Sequence, residues 1–257
     1  MNKINNTSVV KQQYANANNL NTRISIHDKY STNKMGFGNW IMSNYRIDEK
    51  MKVLELGCGT GDMWKNSQSL IKACSKLILS DFSEGMVATT KNNIGNYENT
   101  EYKVIDIQEI PYENETFDVV IANMMLYHVP DIDKGLNEVR RVLKKGGHFY
   151  CATYGEHGII EYLSKILSEY GVQNNMNFTL QNGYVILSKT FSKVDKLEYI
   201  DSLAVTNVDD MIDYIYSLSS MTTLNDVPKY IIKDVLMQNM TNGILNVPKE
   251  YGMFVAS

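Results

Sequence analysis

The 257 residues carry a formal net charge of −4, which offers no basic surface for nucleic acid or anionic lipid, and they are enough to bury a substantial core. Three cysteines (Cys58, Cys74 and Cys151), odd in number and far apart, make neither a disulfide framework nor a zinc pattern. No apolar run approaches the roughly 18 residues of a bilayer span, and Met1–Gln13 lacks a signal-peptide core, so a cytoplasmic chain without membrane segments or a bound metal is expected.

In chain order, strands are expected at Lys52–Leu56, Leu77–Ser80, Tyr102–Ile105, Val119–Ala122 and His148–Thr153. Amphipathic helices separate them, an alternation that builds a parallel sheet with crossover helices. The helix before the last of these strands is the best defined. Asp131 caps it after Pro130; Ile132, Leu136, Val139 and Leu143 share a face; Lys144 and Lys145 suit its negative end and Gly146 stops it. Asp118, beside a strand start, reads as structural. Beyond Tyr154, helices are expected at Glu156–Tyr170 and at Thr179–Phe191, the second capped by Thr179. Val194–Ile200 reads as a sixth strand, Asp209–Ser220 and Val227–Met240 as helices, and Tyr251–Ala256 as a closing strand. No linker rich in Pro, Gly or Ser and no internal repeat divides the chain.

The most informative stretch is V-L-E-L-G-C-G-T-G at Val53–Gly61, a buried strand turning into a helix through three glycines at alternate positions. Glycine lets a backbone take positive φ and lets a ligand approach without a Cβ in the way. A dinucleotide fingerprint would have Gly or Ala at the sixth position from Gly57, with a pyrophosphate on the helix N-terminus. Asp62 stands there instead, where its carboxylate competes for the amides that a phosphate would use. Glu55 adds a second acid before the turn. An acid-lined loop suits a cationic ligand without phosphate, which S-adenosylmethionine is.

Five segments in order, E-L-G-C-G-T-G (Glu55–Gly61), K-L-I-L-S-D-F-S-E-G-M (Lys76–Met86), V-I-D-I-Q-E-I-P-Y (Val104–Tyr112), F-D-V-V-I-A-N-M-M-L-Y-H-V-P-D (Phe117–Asp131) and L-N-E-V-R-R-V-L-K-K-G-G (Leu136–Gly147), resemble the class I S-adenosylmethionine-dependent methyltransferases over roughly half of the chain. The resemblance implies an α/β, Rossmann-like, mostly parallel seven-stranded sheet with helices on both faces and an antiparallel last strand beside the sixth. It implies one domain over residues 1–257. The cofactor core would be 51–154, the N-terminal helical lid 1–50, the helical cap regions 155–192 and 201–250, and the closing strands 193–200 and 251–257. Asp201–Glu250 would then be an insertion between strands six and seven, over the face where substrate enters.

The candidate cofactor residues follow the strand ends. Glu55 can hold the ligand's ammonium or serve as a local cap. Gly57, Gly59 and Gly61 permit close approach, and Cys58 offers its backbone amide, with no reactive thiol. Asp81, twenty residues after Gly61, can accept both ribose hydroxyl hydrogens, leaving Ser83 to cap the next helix. Phe82 and Met86 would flank the adenine, although an apolar i, i+4 pair also fits plain core. By resemblance, Asp106 accepts from the adenine amino group and the Ile107 amide meets a ring nitrogen. Asn123 would meet the ligand's methionine end. His128 and His27 are candidate general bases, His27 alternatively a binder of a carboxylate, and either histidine could simply be packed. Tyr14 and Tyr30 on the lid could meet the sulfonium or an acceptor, or pin the lid; Trp40 reads as packing.

The implied activity is methyl transfer to a small-molecule acceptor by in-line displacement, with S-adenosyl-L-homocysteine as product, in a monomer or a homodimer. A nucleic-acid methyltransferase is the rival on the same fold. It would need a motif of the [DNS]-P-P-[YFW] type where Asn123-Met124-Met125-Leu126 stands, or a Pro-Cys nucleophile, and the chain has neither. A non-catalytic cofactor-binding protein is the third reading.

Overall fold

A seven-stranded sheet organises the chain in a computed structural model that describes residues 4–14, 17–170, 177–218 and 222–257. Its strands are β1 (Lys52–Leu56), β2 (Lys76–Asp81), β3 (Thr100–Val104), β4 (Phe117–Ile121), β5 (Leu143–Tyr154), β6 (Val194–Val205) and β7 (Leu245–Ala256). Their order is β3-β2-β1-β4-β5-β7-β6, and β7 alone runs against the others. The expected Rossmann-like architecture with one antiparallel strand is present. Because the order reverses between β1 and β4, a crevice opens at their carboxyl ends, where ligands of open α/β sheets bind.

Helices α1 (Thr7–Gln13), α2 (Asn18–Tyr30) and α3 (Phe37–Ser43) precede the sheet. The crossovers carry α4 (Asp62–Lys65), α5 (Gln68–Ala73), α6 (Glu84–Ile94) and α7 (Ile132–Val142). α8 (Ile159–Ile166), α9 (Gly183–Leu187), α10 (Val208–Ser217) and α11 (Lys229–Gln238) follow. Alternate strand residues point to opposite faces. Leu54, Ile78, Val120, Phe149 and Phe254 therefore join one buried cluster, while Val53, Leu77, Val119, Tyr150 and Met253 join the other with Trp64 and Ile41.

Several expected boundaries move, each for a local reason. α7 keeps its Asp131 cap on the Lys134 amide (2.9 Å) but ends at Val142, with Arg140 and Arg141 in its last turn. Gly146 is not its stop. It lies inside β5 at φ +77°, near a register shift against β4, and Lys144 turns to Asp118 at 2.7 Å. Asp118 also takes the Lys52 amide, the structural use expected of it. Glu156–Tyr170 holds α8 and a separate 3-10 turn at Ser168–Tyr170. Thr179–Phe191 shrinks to α9: Thr179 closes a turn with Asn182, each side chain bonding the other's amide, so the helix begins later. β6 and β7 pair without a break from Val194↔Ala256 to Val205↔Leu245. The insertion between them is thus 206–244, shorter than Asp201–Glu250, because both strands run on past the core. The Ser219–Ser220 end of the expected helix lies outside the described residues.

Those extra rungs bury an ion pair. The Lys249 ammonium meets the Asp201 carboxylate with side chains 1% and 0% exposed. Asp201 also accepts from the Ser31 and Thr32 hydroxyls and the Asn33 amide, and Lys249 donates to Ser31 (3.0 Å). Burial pushes the Asp201 carboxyl up, but Lys249, the Asn33 amide and Ser31 more than reverse it and hold it below the usual range. Chain leaving α2 is thereby fixed to the β6–β7 hairpin. Near by, Lys29 and Tyr30 both reach Asp210 on α10 (2.9 and 2.6 Å), so the insertion packs on α2 as well. No helix of the described residues is long and apolar enough to cross a membrane.

Removing one member of a buried pair strands the other charge. Asp201→Ala should cost about 3–5 kcal/mol in urea unfolding, and Asp201→Leu with Lys249→Met should recover most of it. Equal loss in both variants would show that the charges are not what is being measured.

Candidate functional site

Beyond β1 the chain turns through Gly57, Gly59 and Gly61 at φ +75°, +58° and +76°, a left-handed run that only glycine takes without strain. The turn is closed from inside. The Cys58 amide donates to the Ser80 carbonyl (2.8 Å) and the Gly61 amide to the Cys58 carbonyl (2.9 Å). That corrects one expectation: the Cys58 amide is bonded to the neighbouring strand β2 and is not offered to a ligand. Its thiol packs on the Thr90 hydroxyl at 3.4 Å, and burial pushes it well above the usual thiol range, so it is not a reactive nucleophile.

Two acids face the turn. Asp81, at the end of β2, accepts the Gly59 amide on one oxygen (3.0 Å) and the Ser83 amide on the other (2.9 Å), leaving lone pairs on both. Ser83 caps α6 through Met86, the division of labour expected from the sequence. Glu55 is 3% exposed and accepts from Trp64 Nε1 at 2.6 Å. Burial pushes its carboxyl up to about 7, against the Trp64 bond, and the neighbouring Asp81 charge adds to the rise. Asp62 opens α4 and takes the Thr60 hydroxyl at 2.7 Å. With Asp62 at one end of the turn and Glu55, once ionised, at the other, the site disfavours a phosphate and favours a cation.

The remaining expected residues divide. Asp106 follows β3 and folds its carboxylate onto Gln108, 2.9 Å from the amide and 3.1 Å from the side-chain nitrogen; Ile107 is buried beside Gly135. Phe82 is half-buried with Lys11 of α1 over its ring at 4.5 Å, whereas Met86 is fully buried and packs as core. Asn123 is tied on both sides, donating to the Tyr45 hydroxyl (2.5 Å) and accepting the Ala152 amide (3.0 Å). Its side chain therefore braces the end of β4 against β5.

On the N-terminal segment, Tyr14 comes to the site and Tyr30 does not. The Ser83 hydroxyl donates to the Tyr14 carbonyl (2.8 Å), seating α1 beside the end of β2. The Tyr14 hydroxyl lies 2.9 Å from His128 Nε2, and His128 Nδ1 lies 2.7 Å from the Ile4 carbonyl. A carbonyl only accepts, so Nδ1 carries the proton and Nε2 receives the one from Tyr14. Burial, with some help from Arg23, holds His128 down at about 4 despite the Ile4 carbonyl, so it is neutral near pH 7. His27 accepts from or donates to Tyr251 at 3.1 Å and is held down at about 3 by burial and Lys249; it sits by the Asp201–Lys249 knot, away from the glycine turn. Trp40 packs on Phe37 and Tyr199, as expected.

The sequence reading missed Arg23, Tyr127 and Tyr154. Arg23 donates to the Tyr14 hydroxyl (3.3 Å) and the Tyr127 hydroxyl donates to that of Tyr154 (3.0 Å). An arginine in the polar run N-N-L-N-T-R reads as solvated, and nothing local marks the convergence of residues from four segments. Among the described residues, no group of three or more His, Cys, Asp or Glu side chains could hold a metal ion.

Comparison with known proteins places this geometry. Residues 54–151 match the methyltransferase domain family. The ubiquinone/menaquinone biosynthesis C-methyltransferase UbiE of Escherichia coli is 35% identical over 121 residues, 46% of this chain and 48% of that protein. The chain thus spans about half the length of the curated relatives it matches. Among solved structures, the 4+2 cyclase SpnF aligns with TM-score 0.60 at 14% identity, over 97% of this chain and 95% of its own. An S-adenosylmethionine dependent methyltransferase from Mesorhizobium loti aligns with TM-score 0.52 at 15% identity, over 86% and 99%. At such identities these structures establish the shared fold.

Glu55 also makes a prediction for stability. A carboxyl ordinarily near 4.5 and held at about 7 keeps its proton in the folded state where the unfolded chain has lost it. Its contribution therefore favours folding at low pH and declines as pH rises from about 4.5 through 7. Glu55→Gln should flatten that part of the stability profile; an unchanged slope would refute a buried, proton-holding Glu55.

Proposed function

We propose, from the methyltransferase domain at residues 54–151 and its class I fold, that the chain transfers a methyl group from S-adenosylmethionine to a small-molecule acceptor. The observation that carries this reading is the acid-flanked left-handed turn. Its missing β-carbons let a ligand lie on the backbone, and its carboxylates suit an ammonium and a ribose diol. Asp81 would hold the ribose hydroxyls with its remaining lone pairs. Glu55 would hold the ammonium once ionised. Asp106 and Ile107, at the end of β3, are assigned to the adenine edge and Phe82 to its face. The backbone of Asn123 is assigned to the methionine end. When bound, the cofactor supplies a methyl group on a sulfonium, an electrophile with a neutral leaving group.

The chain's own work is then alignment and exclusion of water. Residues 1–50 act as a lid and the 206–244 insertion as its buttress. Tyr14 closes the lid on His128, and His128 Nε2 fixes where the Tyr14 proton points. His27, bonded to Tyr251 of β7, is structural. A small-molecule acceptor fits the negative net charge better than a polyanion does. UbiE, a C-methyltransferase of ubiquinone and menaquinone biosynthesis, supports a small acceptor without fixing which one.

The test is incubation with methyl-labelled cofactor and a cell metabolite extract, with mass spectrometry of labelled products. A labelled small molecule supports the reading. Thermal stabilisation by the cofactor without any labelled product would instead favour a cofactor-binding protein without transferase activity. Two further outcomes are expected. Asp81→Ala should weaken cofactor binding by roughly 10- to 100-fold, the loss of charge-assisted hydrogen bonds. Affinity should also rise as pH increases through about 7, where Glu55 gives up its proton to meet the ammonium, and Glu55→Gln should remove that dependence.

A further inference from the structure

The sheet ends on β6 at one side and on β3 at the other, and the two edges are treated differently. Along the middle of β6, the Thr32 amide donates to the Ser202 carbonyl and Asn33 Nδ2 to the Ile200 carbonyl (both 2.9 Å), so no further strand can run its length. β3 has no such cover. The Leu77 amide donates to the Asn99 carbonyl and the Ile105 amide to the Asp81 carbonyl, which turns the backbone of Asn99, Glu101, Lys103 and Ile105 toward β2. Thr100, Tyr102 and Val104 therefore turn theirs outward. The Thr100 amide is spent on the Tyr97 carbonyl (3.1 Å). The Tyr102 and Val104 amides and the three carbonyls have no partner among the described residues, and Val104 is 50% exposed. Open donors and acceptors along an edge are a template for another strand.

The two faces of this edge carry opposite charges in a regular order. Glu101 and Lys103 lie on the face away from α6, where Glu101 holds Lys76 at 2.5 Å and Lys103 at 2.9 Å while both members of the second pair stay more than a third exposed. Tyr102 faces the other way, its hydroxyl donating to the Gly95 carbonyl (2.6 Å). On that side a groove of about 500 Å³ runs between β3 and α6, with Val87, Ala88 and Val104 in its lining. Since α6 runs back against the parallel strands β2 and β3, Glu84 stands at the Val104 end of the groove and Lys91 at the Thr100 end.

We propose that β3 is the seam of a homodimer, in which two chains pair antiparallel about Tyr102 and their sheets become one. The strand reads T-E-Y-K-V, which is complementary to itself in reverse. Glu101 falls opposite the partner's Lys103 and Lys103 opposite the partner's Glu101. In the groove, Glu84 comes to the side of the partner's Lys91. Charge on an edge strand ordinarily repels a second strand, but here reversal sets each charge against its opposite. The Tyr102 amide donates to the carbonyl of the partner's Tyr102, and the Val104 amide to that of the partner's Thr100, each bond repeated by symmetry. Such a contact closes on itself and stops at two chains. The two crevices then open at opposite ends of the joined sheet, so neither obstructs the other.

Sedimentation velocity of the intact chain tests this. A five-residue seam flanked by one helix is a small interface, so the mass should double as concentration rises from about 1 to 500 µM. Val104→Pro removes an outward donor and no bond to β2, and should weaken association at least about tenfold with the circular dichroism spectrum unchanged. Lys103→Glu and Glu101→Lys each set like charges opposite one another and should also weaken it at least about tenfold. The two together restore the opposition and should recover wild-type association. Should Val104→Pro lose the fold, this charge cycle decides alone. A chain that stays monomeric up to about 500 µM overturns the proposal. So does a dimer that withstands a folded Val104→Pro, and so does a double variant that associates no better than the single ones.

Discussion

Three missing β-carbons govern how closely everything else approaches the end of β1. A Cβ on Gly57 would lie 2.9 Å from Met125 Cγ, one on Gly59 3.1 Å from Leu20, and one on Gly61 2.9 Å from Thr90. Each glycine thus admits a different element: the turn after β4, the lid helix α2 and the crossover helix α6. Such contacts are tighter than van der Waals packing allows for an alanine, so the turn cannot be widened at one position without moving one of the three. The carboxylates of Glu55 and Asp81 are held at fixed positions only because this backbone is fixed first.

Much of that turn was legible from one sequence, because its requirements are local. Positive φ at alternate positions demands glycine, and an acid at the helix start in place of Gly or Ala changes the ligand from anion to cation. The carboxylate of Asp81 beside the turn and the Ser83 cap were legible for the same reason, being properties of a strand end followed by a helix start. The Cys58 amide was misread because its partner, the Ser80 carbonyl, belongs to a neighbouring strand. Strand lengths failed in a related way. β6 and β7 extend each other by pairing, and the alternation in D-S-L-A-V and L-N-V-P-K is too short to show it.

Long-range polar convergence was the least legible. Asp201 and Lys249 are 48 positions apart, and each alone reads as a solvated surface charge. Arg23 is similar: its environment is made by tyrosines at 14, 127 and 154 that no spacing connects. The histidines divide by the same logic. Sequence ranked His27 and His128 alike, and what separates them is whether the neighbouring hydroxyl belongs to the lid or to β7.

The ion-pair knot has a mechanical consequence. α2 is a rod of 13 residues, about 20 Å long at 1.5 Å per residue, clamped at its C-terminal end by Asp201 and Asp210 and resting on Gly59 near its N-terminal end. A rod held at one end moves most at the other. Any motion that uncovers the glycine turn therefore hinges near Ser31 and sweeps Leu20 and Tyr14 through the largest arc, while the β6–β7 hairpin stays still. The contacts around Tyr14 can thus be broken while the buried charges stay paired, so the covering of the turn and the stability of the fold rest on different contacts.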